Sequence, residues 1–279
     1  MSASEQQAIE TAREYYNSDD ADNFYHIVWG GEDIHVGLYA SADEPIRLAS
    51  ARTVERMREM LPPMDANTRI LDLGAGYGGA ARNNVLATGC HVTCLNLSEK
   101  ENERNREKNA ALGLEDRIEV IDGPFENIPA DDAAFDVVWS EDSFLHSADR
   151  ARVLSEAARV LKPGGHLIFT DPMQADDCPE GVLQPVYDRI HLDSLASFAY
   201  YRETVKQFGF TEVAIEDHSP QLTQHYTRVR EELVRRRGDL DGKVSDAYVE
   251  RMLQGLQHWI DAGNQGYLAW GILHFQKQS

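Results

Sequence analysis

Positive charge is scarce in this chain. Of its 279 residues 27 are Lys or Arg against 47 Asp or Glu, a formal net charge of −20 at pH 7, and most of the cations are Arg. Nucleic-acid phosphates reward a basic face, so DNA and RNA are poor partners for this composition. A surplus of carboxylates keeps a surface solvated even where salt screens repulsion, which fits a salt-rich cytoplasm. Cysteine is scarce as well. Cys90, Cys94 and Cys178 are too few, and odd in number, for a disulfide framework. Cys90 and Cys94 stand either side of Val92 in an apolar stretch and read as small packing residues, not as a metal or redox site. Apolar residues make up 42%, enough for a substantial core at this length, yet no apolar run approaches the ~20 residues of a membrane span. Met1 to Gln7 lack the basic segment and apolar core of a signal peptide, so the expected location is cytoplasmic. Internal repeats and low-complexity tracts are also missing.

What is present is an alternation of short apolar runs with helical patterns. Arg69–Leu73, His91–Leu95, Ile118–Ile121, Asp136–Trp139 and His166–Thr170 read as strands. Helical stretches starting near Ala80, at Glu99–Leu112 and at Ala148–Leu161 separate them, the last stopped by Pro163-Gly164-Gly165. Strands and helices at this spacing imply βαβ units and a parallel sheet, an α/β doubly wound fold. Beyond Pro172 come a helix over Ser197–Phe208 and a strand at Val213–Glu216. Two long helical stretches follow, Gln221–Arg237 and Ser245–Ala262, before a last strand at Tyr267–Phe275. The helices between the two late strands read as a cap, about 219–264, and Arg235-Arg236-Arg237 as a helix end whose cations oppose the dipole. Residues 1–65 form a separate helical arm, unusually aromatic (Tyr15, Tyr16, Phe24, Tyr25, Trp29), that suits a lid over a domain of 66–279; Pro62-Pro63 ends its last helix.

The densest signal is Ile70-Leu71-Asp72-Leu73-Gly74-Ala75-Gly76-Tyr77-Gly78-Gly79, a buried strand feeding a glycine turn. Glycines admit positive φ and let backbone N–H groups approach a ligand, and ligands of open α/β sheets bind beyond the carboxyl ends of the strands. The spacing Gly74-x-Gly76-x-x-Gly79 satisfies the dinucleotide fingerprint. An acid two residues before the first glycine, however, is not part of the pyrophosphate scheme; it suits a ligand with a cation near the turn. The second strand ends in Asn96, where a nicotinamide site expects an acid.

Asp72-Leu73-Gly74-Ala75-Gly76 and, ~90 residues on, Leu161-Lys162-Pro163-Gly164-Gly165 together resemble the motifs of class I S-adenosylmethionine-dependent methyltransferases. The resemblance covers roughly Thr68 to Asp171. It implies a Rossmann-like seven-stranded sheet with an antiparallel last strand, and S-adenosyl-L-methionine as cofactor. It further implies that Asp72 faces the methionyl ammonium, that Gly74, Ala75 and Gly76 approach the amino-acid part, and that Asn96, with Leu97, stands at the ribose. Asn96 departs from the acid usual there, although an amide still accepts from one hydroxyl. Asp122 and Gly123 would lie at the adenine amino group and Phe125 against its ring, with Ser140 and Gly37 completing the cofactor-binding set.

The arm, Tyr16…Phe24-Tyr25…Trp29-Gly30…His35-Val36-Gly37, resembles that of methyltransferases acting on small amines. With Ser140 to Ser147, Asp171-Pro172-Met173, Gln184 to Ile190 and His258-Trp259-Ile260, it looks closest to sarcosine/dimethylglycine N-methyltransferases, which complete glycine betaine. That resemblance implies a small amine substrate bound among Tyr25, Trp29, Glu141 and Met173, its carboxylate on Arg189 or, failing that, Arg202. It implies His146 paired with Tyr16, either as a latch for the lid or as acceptor of the ammonium proton. Glu141 and Asp142, adjacent in sequence, are expected to diverge. No metal site is expected, and the oligomeric state is open. Three other readings stay open: a different acceptor such as phosphoethanolamine or a natural-product amine, a nicotinamide oxidoreductase, and a non-catalytic S-adenosylmethionine-binding protein.

Overall fold

Alternate residues of each central strand face opposite sides, and both sides are buried. Ile70, Val92, Cys94, Val137 and Ile168 belong to one apolar core, Leu71, Leu73, Leu95, Val138, Leu167 and Phe169 to the other. Strands covered on both faces are the mark of a parallel sheet with helices on each side, and the computed structural model, which describes residues 3–189 and 194–279, has this architecture. Its strands are β1 (Arg69–Leu73), β2 (His91–Asn96), β3 (Ile118–Asp122), β4 (Phe135–Glu141), β5 (Leu161–Thr170), β6 (Met173–Gln174), β7 (Phe210–Asp217), β8 (Leu268–Ala269) and β9 (Gly271–Lys277). The main sheet runs β3-β2-β1-β4-β5-β9-β7. β1 to β5 pair in parallel, and β9 inserts antiparallel between β5 and β7. β6 and β8 form a separate antiparallel pair. Chain order reverses on either side of β1 and β4, so the crevice above their carboxyl ends is where such a sheet binds ligands.

The helices are α1 (Ala3–Asn17), α2 (Asp19–Phe24), α3 (Ile46–Met60), α4 (Gly79–Thr88), α5 (Glu99–Leu112), α6 (Arg150–Val160), α7 (Gln184–Arg189), α8 (Phe198–Lys206), α9 (Ser219–Arg235) and α10 (Asp246–Asn264). Among the described residues no helix is long and apolar enough to cross a membrane. Phe24 and Trp29 of the arm and Tyr226 and Trp259 of the cap enter the same core as Ile70 and Val92. Pro163-Gly164-Gly165 falls inside β5 and not after a helix: α6 stops at Val160, and the β4–β5 register jumps from Phe135↔Leu161 to Val137↔His166.

α5 fixes the arm. Its buried stripe is polar: Glu101, Asn102, Asn105 and Asn109. Buried polar groups must be hydrogen-bonded, and these supply the bonds. Arg82 donates to the side-chain oxygens of Asn105 and Asn109, and also to Glu32 of the arm at 2.6 Å. Arg104 grips Asp22 through two bonds of 2.7 and 2.6 Å, the bidentate geometry that makes Arg–carboxylate pairs strong. Ser98 Oγ, the cap of α5, donates to Asn17 Oδ1 at 2.8 Å. The arm is thereby held down over the carboxyl ends of β1, β2 and β4.

Candidate active site

The turn after β1 is built on positive φ: Gly74 at 76°, Gly76 at 51° and Gly78 at 76°. Gly74 N–H donates to Leu95 O at 2.8 Å, and a Cβ at Gly74 would collide with Ser143. Ser140 Oγ and Ser143 Oγ both lie on Leu73 O, at 2.8 and 3.0 Å, so the end of β1 is clamped from β4. Above the turn opens a cleft of about 930 Å³ including its mouth, lined by Asp72, Gly74, Ala75, Gly76, Asn96, Leu97, Phe125 and Glu141 of the expected set.

One end of this cleft is a buried group of carboxylates around a single imidazole. His35 Nε2 stands 3.4 Å from Glu141 Oε1 and 3.6 Å from Asp33 Oδ1, and its Nδ1–H donates to Val36 O at 3.1 Å. Burial alone would lower the His35 pKa; Glu141, Asp33 and Asp142 outweigh it and raise it to about 10. Burial, reinforced by Glu141 and Asp33 and opposed by His35, holds the Asp72 carboxyl well above the usual range. Burial likewise lifts Glu141 to about 7, against the pull of His35. Four carboxyl groups (Asp33, Asp72, Glu141, Asp142) crowd around one imidazolium where burial disfavours their ionised forms, and a cationic ligand would relieve that cost. Glu141 Oε1, ion-paired to His35, is buried and accepts no hydrogen bond among the described residues.

Glu141 and Asp142 do not diverge as expected. Asp142 has φ 51°, and this left-handed residue turns the chain so that both line the cleft. Their roles still differ. Asp142 is engaged: Val36 N–H, Thr170 Oγ1 and Trp270 Nε1 donate to it at 2.6, 2.7 and 2.7 Å, tying the arm to β5 and to the residue between β8 and β9.

At the other end Asn96 Nδ2 donates to Glu101 Oε2 at 2.9 Å. Glu101 lines the cleft, and burial lifts its carboxyl to about 7, the Asn96 bond opposing. The acid that the end of β2 lacks is therefore supplied five residues later by the first turn of α5. Phe125 and Leu97 form an apolar wall beside it.

A second cavity of about 410 Å³ adjoins the first and shares Tyr16, Ile34, Asp142 and His146 with it. Tyr25, Trp29, Val36, Leu145, Pro172 and Tyr226 complete its wall. The Tyr16 hydroxyl and His146 Nε2 lie 2.8 Å apart, and the Tyr16 ring stacks on Tyr25 with centroids 5.8 Å apart. The expected Tyr16–His146 pair thus stands at the junction of the two cavities.

Several expected residues lie elsewhere. Asp122 is half-exposed and bound to Asn102 and Arg106 at 2.6 and 2.9 Å, so it is committed to the α5–β3 contact. Gly123 N–H bonds Asn96 O at 3.0 Å without lining the cleft, and Ser140 is spent on Leu73 O. Gly37 packs the arm onto α3: a Cβ there would come 2.5 Å from Ala49 Cβ. Met173, in β6 and paired with Ala269 of β8, is fully buried in the core. Arg202, exposed on α8, is bound to Glu212 at 3.0 Å and is withdrawn as a carboxylate anchor. The Arg189 side chain lies outside the described residues. Sequence reasoning did not find Asp33, the ionic role of His35, or Glu101. The first two sit in a loop without periodicity; Glu101 was legible only as the first-turn acid after the cap Ser98.

A cradle of positive-φ glycines, an acid cluster missing a cation, a polar pair five residues apart and an apolar wall match the methionyl ammonium, ribose and adenine of one ligand. On this fold they define an S-adenosylmethionine-dependent methyltransferase of the Rossmann-like class. A methyltransferase domain family matches residues 71–169. The chain is 59% identical to the sarcosine/dimethylglycine N-methyltransferase of Halorhodospira halochloris, over 97% of both chains. It is 51% identical to the enzyme of that name from Aphanothece halophytica, over 95% and 96% of the two. A crystal structure from Galdieria sulphuraria, provisionally assigned as a sarcosine dimethylglycine methyltransferase, superposes with a TM-score of 0.89 at 42% identity, over 95% of this chain and 99% of that one. The chain belongs to the sarcosine/dimethylglycine N-methyltransferase family.

Proposed function

We propose that the chain methylates the nitrogen of a small N-methyl amino acid, sarcosine and dimethylglycine, to give glycine betaine. The observation that carries this is the aromatic second cavity opening onto the cofactor cleft at Tyr16 and His146. S-adenosylmethionine, when bound, supplies an electrophilic methyl group on a sulfonium. Asp72 and Glu141 would hold its ammonium, Asn96 and Glu101 its ribose, and Phe125 with Leu97 its adenine. The faces of Tyr16, Tyr25 and Trp29 favour a methylated ammonium, through the attraction of a cation to the ring quadrupole. They stabilise positive charge as it forms on the acceptor nitrogen. His146 can take the proton the acceptor nitrogen must lose, and its bond to Tyr16 fixes both rings at the junction. The arm covers both cavities and excludes water, and much of the acceleration comes from this positioning.

Among the described residues neither cavity is lined by Lys or Arg. That counts against phosphoethanolamine, since a phosphate dianion calls for charged donors. The test is transfer of labelled methyl from S-adenosylmethionine to glycine, sarcosine, dimethylglycine and phosphoethanolamine across a range of salt. Transfer to sarcosine and dimethylglycine is expected; none at any salt overturns the acceptor while leaving the class intact.

A further inference from the structure

An amino-acid acceptor carries a carboxylate, and among the described residues neither cavity is lined by Lys or Arg; the one imidazolium, His35, lines the first cavity and is taken up by Glu141 and Asp33. Arg202 is engaged at the surface with Glu212. Among the described residues the second cavity therefore offers the charge neutral donors. The Tyr16 hydroxyl is bonded to His146, and the Tyr25 hydroxyl lies 3.2 Å from that of Tyr15. Trp29 differs from both. It lines the second cavity, is 4% exposed, and its indole Nε1–H is buried with no hydrogen-bond partner among the described residues. Buried donors in folded proteins are nearly always paired, and a buried Trp N–H usually finds a partner. One left open in a ligand cavity is a vacancy of the kind a ligand fills.

The backbone makes the same point independently. Trp29 closes a π-helical turn, Tyr25–Trp29, and is followed by Gly30 at φ 115°. Such turns interrupt helices at a cost and concentrate at functional sites. The indole is held by Tyr25 and His225, with ring centroids 5.2 and 5.0 Å away, so its N–H direction is set before a ligand arrives. Position supplies an orientation as well. Trp29 lines only the second cavity, whereas His146 and Asp142 line both. In sarcosine and dimethylglycine a single carbon separates nitrogen from carboxylate, so a nitrogen at the junction places the carboxylate deeper, on the Trp29 side.

We propose that the Trp29 indole N–H donates a hydrogen bond to the acceptor's carboxylate and so selects N-methyl amino acids over simple amines of the same size. The proposal rests on the amino-acid acceptor argued above. Kinetics and one spectroscopic measurement test it. Trp29→Phe keeps an aromatic face and removes the donor. Its KM for dimethylglycine should rise about 10- to 100-fold, the size of one hydrogen bond to a charged group. kcat should fall by less than KM rises, because the Phe ring keeps an aromatic face toward the forming charge while the lost hydrogen bond is binding common to ground and transition states, and S-adenosylhomocysteine should bind as before by calorimetry. In the unaltered protein saturated with S-adenosylhomocysteine, dimethylglycine should move the Trp29 indole proton resonance downfield, and dimethylpropylamine, which lacks the carboxylate, should not. The resonance is assigned by its disappearance in Trp29→Phe, or in Trp29→Leu should the first variant not fold. An indole proton that does not respond to dimethylglycine, or an unchanged KM, overturns the assignment provided the unaltered protein methylates dimethylglycine. If it does not methylate dimethylglycine or sarcosine, the functional reading has failed and the assignment falls with it.

Discussion

Replacing Asp72 by Asn should move stability and cofactor affinity in opposite directions. Asp72 is 3% exposed; burial first, then Glu141 and Asp33, hold its proton affinity well above that of an ordinary carboxyl, with His35 opposing. A group whose pKa is raised by folding lends stability below its unfolded pKa, and that stability is lost as pH rises through the folded value. At pH 8, above the ordinary carboxyl range, the ligand-free protein therefore carries the cost of holding Asp72 where its ionised form is disfavoured. The cost is about 1.4 kcal/mol for each tenfold gain in proton affinity on folding. Asn has no such cost, so the ligand-free variant should melt a few degrees higher at pH 8, and the gain should shrink at pH 5. Cofactor binding should respond with the opposite sign. The ligand's ammonium loses one charged partner of a charge-assisted bond, about 1.5–3 kcal/mol, or roughly 10- to 150-fold in Kd. The assays are thermal melts at both pH values and calorimetry with S-adenosylhomocysteine. An S-adenosylhomocysteine Kd within twofold of the unaltered protein, or a lower ligand-free Tm at pH 8, would refute the placement of the ammonium at Asp72.

Other changes separate the parts of the site. Tyr16→Phe removes the hydroxyl 2.8 Å from His146 Nε2 and should lower kcat about tenfold or more, leaving S-adenosylhomocysteine affinity unchanged by calorimetry. His35→Gln removes the imidazolium between Glu141 and Asp33. Because the His35 pKa is raised to about 10, its stabilisation is full below its ordinary value and lost as pH rises through 10, so the loss of Tm in the variant should be large at pH 7 and fade above pH 10. Arg202→Ala breaks a half-exposed surface pair, worth about 0–1 kcal/mol, and should leave kcat/KM within twofold; a large KM increase would restore Arg202 to the acceptor site.

The fold was legible because its periodicities are strong. β1 and β2 read as apolar runs because they are buried on both faces, and the glycine turn announced itself because no other residue tolerates three positive φ angles within five positions. α5 shows where such reading ends. Its bounds follow from the cap Ser98 and the terminal Gly113, but its buried stripe is Glu and Asn, so an apolar-periodicity search places it on the surface. The polar network it forms with Arg82, Arg104 and the arm depends on which elements meet, which one chain's sequence does not print. Gly37 and Met173 failed for a related reason. Their residue types suit a site, yet the close approach of Gly37 to Ala49 and the burial of Met173 in β6, paired with β8, are set by tertiary contacts. Adjacent acids normally point apart, and only the left-handed φ of Asp142 brings both to one cleft.

Arm and sheet each hold half of the chemistry. The sheet supplies Asp72, the glycine cradle, Asn96 and Glu141, which are acceptors in excess of donors. The arm brings His35, the imidazolium that partly offsets them, together with Tyr16, Tyr25 and Trp29, without which Tyr226 of the cap is the one Tyr or Trp left in the second cavity's wall among the described residues. Val36, between the two, hydrogen-bonds Asp142. Any opening of the arm would therefore expose the acid cluster and dismantle the acceptor cavity in one movement. Lifting it also breaks the Arg104–Asp22 and Arg82–Glu32 pairs, whose buried ends on α2 and α4 would be left uncompensated, a costly state. A ligand ammonium that neutralises the acid cluster would add to those contacts, so cofactor binding and arm closure reinforce each other.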